Sequence, residues 1–381
     1  MRIIQFSDSF IPIMDGVGNV VYRYAVNFGK KGHESYVVAP QTNTGYRGNY
    51  PFEMIDYVGV PLWKMNSYTV GTPKMDSHFK KRLQMIDADI VHVHSPFMAG
   101  QAGMSYAKKR NIPVIGTFHS KYYDDFLQVT GIELLAEAGV KIVVDFYEKC
   151  DEVWAVSESS AQTLKDYGYE GSVRVMPNGT DTKEILPEKV IEIKEKLGIG
   201  TESILLFVGQ MNWKKNIETT LRAFAMLNGD LKLVLAGRGP HEAEIKALAE
   251  KLGISDRVIM PGHITDPDLL NALYSSAQLF LFPSIYDNGP LVVREAAAAG
   301  TPSVVVRGSS AAECVKDGVN GLLCENDPAN LAMVVQKALL DEKELEAMGK
   351  RAKMTIPIPW SSIAEDVLWE YKRVIERTKQ Q

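Results

Sequence analysis

The sequence predicts an α/β protein built from two doubly wound parallel-sheet domains. Short apolar runs with the composition of buried strands alternate with helical stretches along the whole chain, which is the pattern of parallel sheets. This alternation starts again after a charged helical segment at 187–200. The length of 381 residues also corresponds to two or three domains of roughly 150 residues each.

The composition excludes several classes of protein. Apolar residues make up 45% and charged residues 23% of the chain, as in soluble globular proteins. The net charge is −5 and neither half is basic, so no nucleic-acid partner is expected. Cys150, Cys314 and Cys324 lie far apart without a CxxC pattern, which indicates a reducing compartment and neither disulfides nor a zinc site. The N-terminus lacks the apolar core of a signal peptide, and no stretch resembles a membrane span. We therefore expect a cytoplasmic protein.

The first domain begins with a buried strand at 2–7, followed by a loop and a helix from about residue 20. Gly16 and Gly18 in this loop allow the backbone to approach a ligand closely, although a tight strand-to-helix turn is the alternative explanation. The third glycine of a dinucleotide-binding fingerprint is replaced by Val21. A second strand, SYVVAP, is followed by a segment at 41–73 that is expected to be irregular.

Two further strands of this domain end in histidines. The strand ADIVHVH carries His92 and His94 on one face, but no third ligand is near in sequence, so a metal site is not expected. The strand IPVIGTF is followed directly by His119. Ligands of open α/β sheets bind at the carboxyl ends of strands, so His119 is a candidate site residue; a buried polar residue with a structural partner is the alternative.

The remainder of the chain continues the alternation. A long helical region at 122–150 precedes the strand EVWAVS, the helix SESSAQTLKDYG and the strand VRVMPNGTD. The second domain starts with the strand at 204–209 and continues through LKLVLAG, RVIMPG, AQLFLF, SVVV and GLL, with helices between them. A charged helix is expected at 330–351, and a last helix at 360–379 follows two prolines.

The stretch at 280–300, FLFPSIYDNGPLVVREAAAAG, has the pattern strand, loop, helix. This arrangement directs backbone N–H groups and the positive end of a helix dipole towards an anion. Asp287 lies in the loop, and Glu295 falls eight residues later on the second turn of the helix. With a phosphate on the N–H groups at 289–292, the two carboxylates would reach opposite sides of it, as the hexose and ribose of a nucleotide-sugar require. Ordinary α/β packing is the alternative.

Several separated motifs, in order, resemble the retaining GT-B glycosyltransferases of family 4 over essentially the whole chain. The glycine loop IPIMDGVGNVVYRYA, the strand ends DIVHVHSP and PVIGTFH, and the stretch YDNGPLVVREAAAAGTPSVV followed by GLLCENDP all match that family. The last stretch occupies the position of the paired-acid motif. The resemblance implies two Rossmann-like domains facing a central cleft, at 1–185 for the acceptor and 186–356 for the nucleotide-sugar, with a helix at 357–381 returning to the first domain.

The resemblance also implies residue roles. Glu295 matches the acid that binds the ribose hydroxyls, Asp287 the acid that faces the donor sugar, and Lys215 the base that neutralises the diphosphate. The expected catalytic residues are His119, Lys215 and Asp287. The expected donor-binding residues lie at strand ends or in the loops after them: Gly16, Gln210, Lys214, Lys215, Arg238, Gly239, Ile264, Asp287, Gly289, Leu291 and Glu295.

The chain departs from the family pattern at three places. Asp287 replaces a glutamate, which shortens the reach by one methylene group. Gln210 stands where many members have an arginine for the phosphates, and Lys214 is a candidate replacement for that charge. Asn288 and Pro290 replace residues of the usual Gly-Phe-Gly turn. These changes imply a different donor sugar, weaker catalysis or a binding protein without activity.

The predicted function is transfer of a hexosyl group from a nucleoside-diphosphate sugar, with UDP-glucose as the first candidate, to an unidentified hydroxyl acceptor. The family implies retention at the anomeric carbon, no metal and no cofactor, because the nucleotide-sugar is a substrate. Membrane lipids or lipid-linked glycans are implied acceptors. A peripheral contact with the inner membrane surface could use the basic residues Lys74, Lys80, Lys81, Arg82 and Lys108 to Arg110, although such clusters are also common on solvated faces. A UDP-sugar 2-epimerase and a non-catalytic nucleotide-sugar sensor are the alternatives.

Overall fold

The structure is a computed structural model that describes residues 1–11, 15–41, 49–61 and 69–380. The chain divides into two compact units. Unit 1 comprises Met1–Asn178 and Trp360–Gln381, and unit 2 comprises Gly179–Pro359. The expected boundary after residue 185 lies a few residues beyond this division. Part of the loop around Gly16 (12–14) and parts of the segment expected to be irregular (42–48 and 62–68) lie outside the described residues.

Unit 1 contains a seven-stranded parallel sheet with the order β3-β2-β1-β6-β7-β8-β9. Its strands are β1 (Arg2–Phe6), β2 (Glu34–Pro40), β3 (Glu53–Tyr57), β6 (Ile90–Val93), β7 (Val114–Phe118), β8 (Glu152–Ala155) and β9 (Val173–Val175). A separate antiparallel pair is formed by β4 (Gly59–Pro61) and β5 (Thr69–Gly71). The segment expected to be irregular therefore contributes three strands, including an edge strand of the main sheet, and that expectation was wrong for them.

The helices of unit 1 cover this sheet. They are α1 (Gly16–Lys30), α2 (Ser77–Gln84), α3 (Met98–Lys108), α4 (Tyr122–Thr130), α5 (Glu133–Tyr147), α6 (Glu158–Asp166) and α14 (Trp360–Lys379). The single helical region expected at 122–150 is two helices, because Gly131 adopts a left-handed conformation (φ +67°) that ends α4. Helix α1 starts earlier than expected, since Asp15 caps it by accepting the N–H of Gly18 at 2.7 Å.

The last helix, α14, is part of the core of unit 1. Tyr371 is fully buried, stacks on Trp154 and lies edge-on to Phe28. Arg373 on the same helix forms ion pairs with Glu152 of β8 and with Glu370. Trp369, in contrast, is 62% exposed. The apolar and ionic contacts of this helix therefore join it to strands that precede it by more than 200 positions.

Unit 2 contains a six-stranded parallel sheet with the order β12-β11-β10-β13-β14-β15. The strands are β10 (Ser203–Val208), β11 (Leu231–Ala236), β12 (Val258–Gly262), β13 (Ala277–Phe282), β14 (Ser303–Val306) and β15 (Gly321–Cys324). The helices are α7 (Pro187–Leu197), α8 (Ile217–Ala225), α9 (Glu242–Lys251), α10 (Pro267–Ser276), α11 (Leu291–Ala299), α12 (Pro328–Leu339) and α13 (Glu342–Thr355).

The helix expected at 330–351 is also two helices, because Asp341 caps a new one by accepting the N–H of Glu344. Each unit otherwise has the parallel strand-and-helix alternation that the sequence predicts, and the prediction of two Rossmann-like domains is confirmed. The adjacent strands β12, β11, β10 and β13 run in the same direction, so the loops after them lie along one edge of the sheet. Most of the predicted donor-binding residues lie in these loops.

Candidate functional site

Helix α11 provides an N-terminus suited to an anion. The buried strand β13 ends at Phe282, and the chain reaches the helix through a loop in which Gly289 has a positive φ of 55°. Pro290 occupies the cap position, and no side-chain hydrogen bond from it caps the helix. The first N–H groups of a helix, here at Leu291 and Val292, have no partner within the helix and carry the positive end of its dipole. This geometry favours a phosphate group at the start of α11.

Lys215 and Asp287 form an ion pair beside this helix end. The ammonium group of Lys215 contacts Asp287 Oδ1, and Ser284 Oγ donates a hydrogen bond to Asp287 Oδ2 at 2.5 Å. The two charged side chains are 18% and 17% exposed, so the pair is largely shielded from solvent. The carboxylate is thereby oriented through both of its oxygens. Two of the three predicted catalytic residues are brought together.

The loop that carries Lys215 is fixed to the end of β13. Residues 213–215 form a short 3-10 helix, which Asn212 caps by accepting the N–H of Lys214 at 3.1 Å. Asn216 follows in a left-handed conformation and donates through Nδ2 to the carbonyl oxygen of Pro283 at 3.0 Å. The ammonium group of Lys214 lies 4.6 Å from the centre of the Tyr286 ring, within range of a cation–π interaction. Both lysines therefore lie close to the loop at 283–289.

Glu295 lies on the second turn of α11 and contacts Tyr274 of α10. The Tyr274 hydroxyl donates to Glu295 Oε2 at 3.1 Å. Burial and the neighbouring carboxylate raise the pKa of Tyr274 well above its usual value, so the phenol stays protonated and remains a donor. This hydrogen bond orients the Glu295 side chain.

The loops after β10, β11 and β12 form the other part of this edge. Met211 N donates to the carbonyl oxygen of Arg238 at 3.1 Å, and a Cβ atom on Gly239 would lie only 2.6 Å from Met211 N. Glycine is therefore required where the two loops cross. A Cβ atom on Gly262 would meet the Arg238 guanidinium group at 2.8 Å, so the turn leading to Ile264 lies next to Arg238. Gln210 and Arg238 are both exposed at this edge, and Arg238 pairs with Glu242 at 3.0 Å.

Gly16 and His119 belong to unit 1. His119 follows β7, is 9% exposed, and its Nε2 lies 3.1 Å from His94 Nδ1. Burial lowers the pKa of His119 to about 3, so the ring is neutral at physiological pH. Gly16 is exposed, and a Cβ atom there would meet nothing within 4 Å. Gly18, in the first turn of α1, is the more closely packed of the two glycines, since a Cβ atom on it would lie 3.1 Å from Phe10 Cα.

Three residues of the unit 2 site were not identified from the sequence. Ser284 orients Asp287, Tyr274 orients Glu295, and Ser310 Oγ accepts the N–H of Gly289 from the loop after β14. Ser284 and Ser310 both follow strand ends at the edge that binds ligands, which is a signal that the sequence contains. Tyr274 lies inside a helix, and its spacing does not distinguish it from a core residue.

Comparison with known proteins gives the family. The model of glycosyl transferases group 1 matches residues 189–355, and the model of glycosyltransferase family 4 matches residues 14–184. The chain belongs to this glycosyltransferase family. The predictions of the family, of the GT-B fold and of an enzyme of the glycosyltransferase class are thereby confirmed.

Relatives of this glycosyltransferase have names that describe different sugars. The alpha-monoglucosyldiacylglycerol synthase of Streptococcus pneumoniae is 29% identical over 89% of this chain and 78% of its own. A GDP-mannose-dependent alpha-mannosyltransferase of Corynebacterium glutamicum is 27% identical over 98% of this chain and 89% of its own. Among solved structures, a sucrose-phosphate synthase of Thermosynechococcus elongatus has a TM-score of 0.85 at 23% identity, covering 99% of this chain and 100% of its own.

Two absences hold for residues 1–11, 15–41, 49–61 and 69–380. There, no group of three or more His, Cys, Asp or Glu side chains is arranged to hold a metal ion. No helix in those ranges is both long and apolar enough to cross a membrane.

Proposed function

We propose that this glycosyltransferase transfers a hexosyl group from a nucleoside-diphosphate sugar to a hydroxyl acceptor, with retention at the anomeric carbon. The observation that carries the proposal is the N-terminus of α11, whose cap residue Pro290 makes no side-chain hydrogen bond to the helix. The Lys215–Asp287 pair lies in the loops beside this helix end, and Glu295 lies on the second turn of the helix. A diphosphate at the helix end would have positive charge on one side and a carboxylate for ribose hydroxyls on the other. These are the chemical groups of a nucleotide-sugar.

The proposed reaction breaks the bond between the anomeric carbon and the phosphate oxygen and forms a bond from that carbon to the acceptor oxygen on the same face. The acceptor proton passes to the leaving phosphate, and both bonding electrons leave with that phosphate. Lys215 and the N–H groups of α11 stabilise the negative charge that develops there. Asp287 faces the donor sugar, and Ser284 holds its carboxylate in orientation. Because fixed cationic groups of the protein perform this role, we expect transfer to proceed in the presence of EDTA.

For the donor we propose UDP-glucose first and GDP-mannose second. The names of the two relatives above describe an alpha-glucosyl product and a GDP-mannose donor. The sugar in both nucleotide-sugars is α-linked, so an α-linked product would correspond to retention. The reach of Asp287 and the neutral Gln210 are the features of this chain that we expect to determine the choice of sugar.

For the acceptor we propose a lipid or lipid-linked glycan at the inner membrane surface, with the protein in the cytoplasm. Helix α2 carries exposed Lys80 and Lys81, and it lies between Met75 and Met85, which are 83% and 76% exposed. Arg110 donates to the carbonyl oxygen of Gln84 at 3.1 Å, which brings the basic end of α3 next to the end of α2. Cationic residues beside exposed apolar side chains suit an anionic lipid surface.

A nucleotide-binding measurement tests the donor site. Thermal unfolding of the purified chain is followed with UDP, GDP, ADP and dTDP in parallel. A nucleotide at one hundred times its dissociation constant stabilises the folded protein by about 2.7 kcal/mol, which corresponds to an increase in Tm of roughly 5–10 °C for a domain of about 200 residues. Stabilisation by a single nucleotide would identify the base. No stabilisation by any of them would contradict a donor site in unit 2.

Variants test the residue assignments. Glu295→Ala is expected to weaken nucleotide binding by about 1.5–3 kcal/mol, because it removes hydrogen bonds to a charged group. Lys215→Ala is expected to lower the transfer rate more than the stability. Lys350→Ala is the matched control, because it removes an exposed lysine of unit 2 whose ion pair with Glu346 is on α13. Binding and rate that remain unchanged in both site variants would refute the assignment.

Product analysis separates transfer from the two alternatives. Incubation with donor alone would change the sugar of UDP-glucose only if the protein is an epimerase. Binding without turnover, together with activity gained in Asp287→Glu, would indicate a sensor with a degenerate site.

Sedimentation with vesicles of phosphatidylglycerol or of phosphatidylcholine tests the membrane contact. The double variant Lys80→Gln and Lys81→Gln is expected to weaken binding to the anionic vesicles about 30-fold, at about 1 kcal/mol per lysine. Equal binding of this variant and the unchanged protein would refute the contact.

A further inference from the structure

Arg238 lies in the loop after β11, with its guanidinium group against the turn after β12. A Cβ atom on Gly262 would meet Nε and Nη2 of this group at 2.8 Å each and Cζ at 2.9 Å. On its other side, Nη1 donates to Glu242 Oε1 at 3.0 Å, at the first residue of α9. The guanidinium group is thus held between the loops of two neighbouring strands, while 68% of the side chain is exposed and accessible to a ligand.

The orientation of Glu295 indicates on which side of α11 a nucleoside would lie. Under the proposed function Glu295 binds the ribose hydroxyls, and its carboxylate accepts a hydrogen bond from Tyr274. Tyr274 belongs to α10, so the ribose side of α11 faces α10. Helix α10 starts at Pro267, shortly after β12 ends at Gly262. A base attached to this ribose, on the side away from the diphosphate, then extends towards the turn against which Arg238 lies.

The guanidinium group offers hydrogen-bond donors and no acceptor. It stays charged and carries five N–H groups, so it bonds only to acceptor atoms of a ligand. Uracil, thymine and guanine have a carbonyl oxygen at the ring position where cytosine and adenine have an amino group. The carbonyl oxygen accepts a hydrogen bond from a guanidinium group, whereas the amino group is itself a donor and opposes it. A base edge placed against Arg238 is therefore distinguished by this one group.

We propose that Arg238 selects the base of the donor nucleotide and favours uracil, thymine and guanine over cytosine and adenine. The inference rests on the proposed function, which assigns the diphosphate and the ribose to α11. Glu242 is a positioning residue, because its carboxylate orients the guanidinium group. The donors are then UDP-, dTDP- or GDP-sugars, and CDP- and ADP-sugars are rejected. An arginine that contacted the diphosphate would instead strengthen the binding of all these nucleotides equally.

Matched pairs of nucleotides separate contact with the base from contact with the diphosphate. Dissociation constants of the full chain are measured by calorimetric titration with UDP and CDP, and with GDP and ADP, at one salt concentration. We expect the carbonyl member of each pair to bind about 5- to 20-fold more tightly. In Arg238→Met, which keeps a long side chain and removes the donors, this ratio is expected to fall towards one, mainly through weaker binding of UDP and GDP.

Two further variants control for charge and for position. Arg222→Met removes an exposed arginine on α8 whose ion pair with Glu218 also spans four residues, and it is expected to leave the ratio unchanged. Glu242→Ala removes the group that orients Arg238 and is expected to lower the ratio in part, whereas Glu242→Gln keeps an acceptor oxygen and is expected to retain most of it. A loss of stability alone would weaken both members of a pair and would not change their ratio.

The outcomes separate this inference from the proposed function. Equal affinities within each pair in the unchanged protein, tighter binding of CDP than of UDP, or a ratio that persists in Arg238→Met would overturn the selection of the base by Arg238. Equal weakening of all four nucleotides in Arg238→Met would also overturn it and would assign this residue to the diphosphate. The donor site of the proposed function would survive each of these results. Absence of binding of all four nucleotides to the unchanged protein would refute the donor site and this inference together.

Discussion

Acidification is expected to destabilise unit 1 through its three buried histidines. His92, His94 and His119 are each at least nine-tenths buried, and burial lowers the pKa of each ring, that of His119 to about 3. In the unfolded chain the same rings titrate near 6.5. The unfolded state therefore binds more protons than the folded state below pH 6.5. The stabilisation is complete above that pH and is lost as the pH falls towards the folded-state pKa.

The magnitude follows from the difference in proton binding. Integration from pH 6.5 to 4.5 gives about 2.3 kcal/mol for each ring, at about 1.4 kcal/mol per pH unit once the unfolded ring is protonated. The three rings together account for at most about 7 kcal/mol over this range. Since a whole domain is stable by about 5–15 kcal/mol, unit 1 is expected to open near the lower end of this pH range.

Hydrogen exchange measures this effect in unit 1 alone. The free energy of opening is determined for the amides of β6 and β7 between pH 7.5 and 4.5, with correction for the intrinsic exchange rate. His94→Asn is expected to reduce the loss by about one third, because one of three equivalent rings is removed. His78→Gln, which changes an exposed ring, is expected to leave the loss unchanged. An opening free energy that stays constant from pH 6.5 to 4.5 in the unchanged protein would refute the reasoning.

Three further predictions concern packing and orientation. Gly349→Ala should lower stability by about 1–3 kcal/mol in chemical denaturation, because its Cβ atom would overlap the carbonyl oxygen of Gly300; an unchanged midpoint would mean that α11 and α13 can separate at little cost. Tyr371→Phe should cost about 1–3 kcal/mol, since it removes the hydroxyl that lies 2.5 Å from His92 Nδ1, and retained stability in calorimetry would contradict this. Tyr274→Phe should weaken nucleotide binding in a titration with UDP less than Glu295→Ala does, because it removes only the orienting hydrogen bond; a larger effect would mean that the tyrosine contacts the ligand itself.

The architecture was predictable because local patterns determine it. Strand-type runs alternating with helices predicted both sheets apart from one edge strand of the first, and the stretch at 280–300 showed its strand, loop and helix directly. The breaks at Gly131 and Asp341 were missed because apolar periodicity continues across them, although both residue types are ordinary helix boundaries. The edge strand β3 was missed because its neighbours are rich in glycine and proline.

The site was predictable only in part, because some of its contacts depend on tertiary structure. Asp287 and Lys215 follow β13 and β10, which are neighbours in the sheet but separated in sequence by two other strands. The resemblance supplied both residues, but no periodicity indicates that they form an ion pair. The hydrogen bond from Gly289 to Ser310 and the contact of Tyr274 with Glu295 likewise join separate elements. The HxH pattern correctly put His92 and His94 on one face, whereas their different partners, Tyr371 and His119, became visible only in the structure.

The position of α14 has a consequence for biosynthesis. Unit 2 is inserted in the sequence of unit 1, since unit 1 resumes only at residue 360. A ribosome releases the chain from its N-terminus onwards, so all of unit 2 emerges before the helix that brings Tyr371 to Trp154 and His92. Until the last helix is made, the first 178 residues expose the apolar and histidine side chains that this helix covers in the folded unit. Unit 2 can therefore fold before unit 1 is complete. Because exposed apolar surface favours aggregation, we expect the growing chain to depend most on chaperones while unit 1 still lacks its last helix.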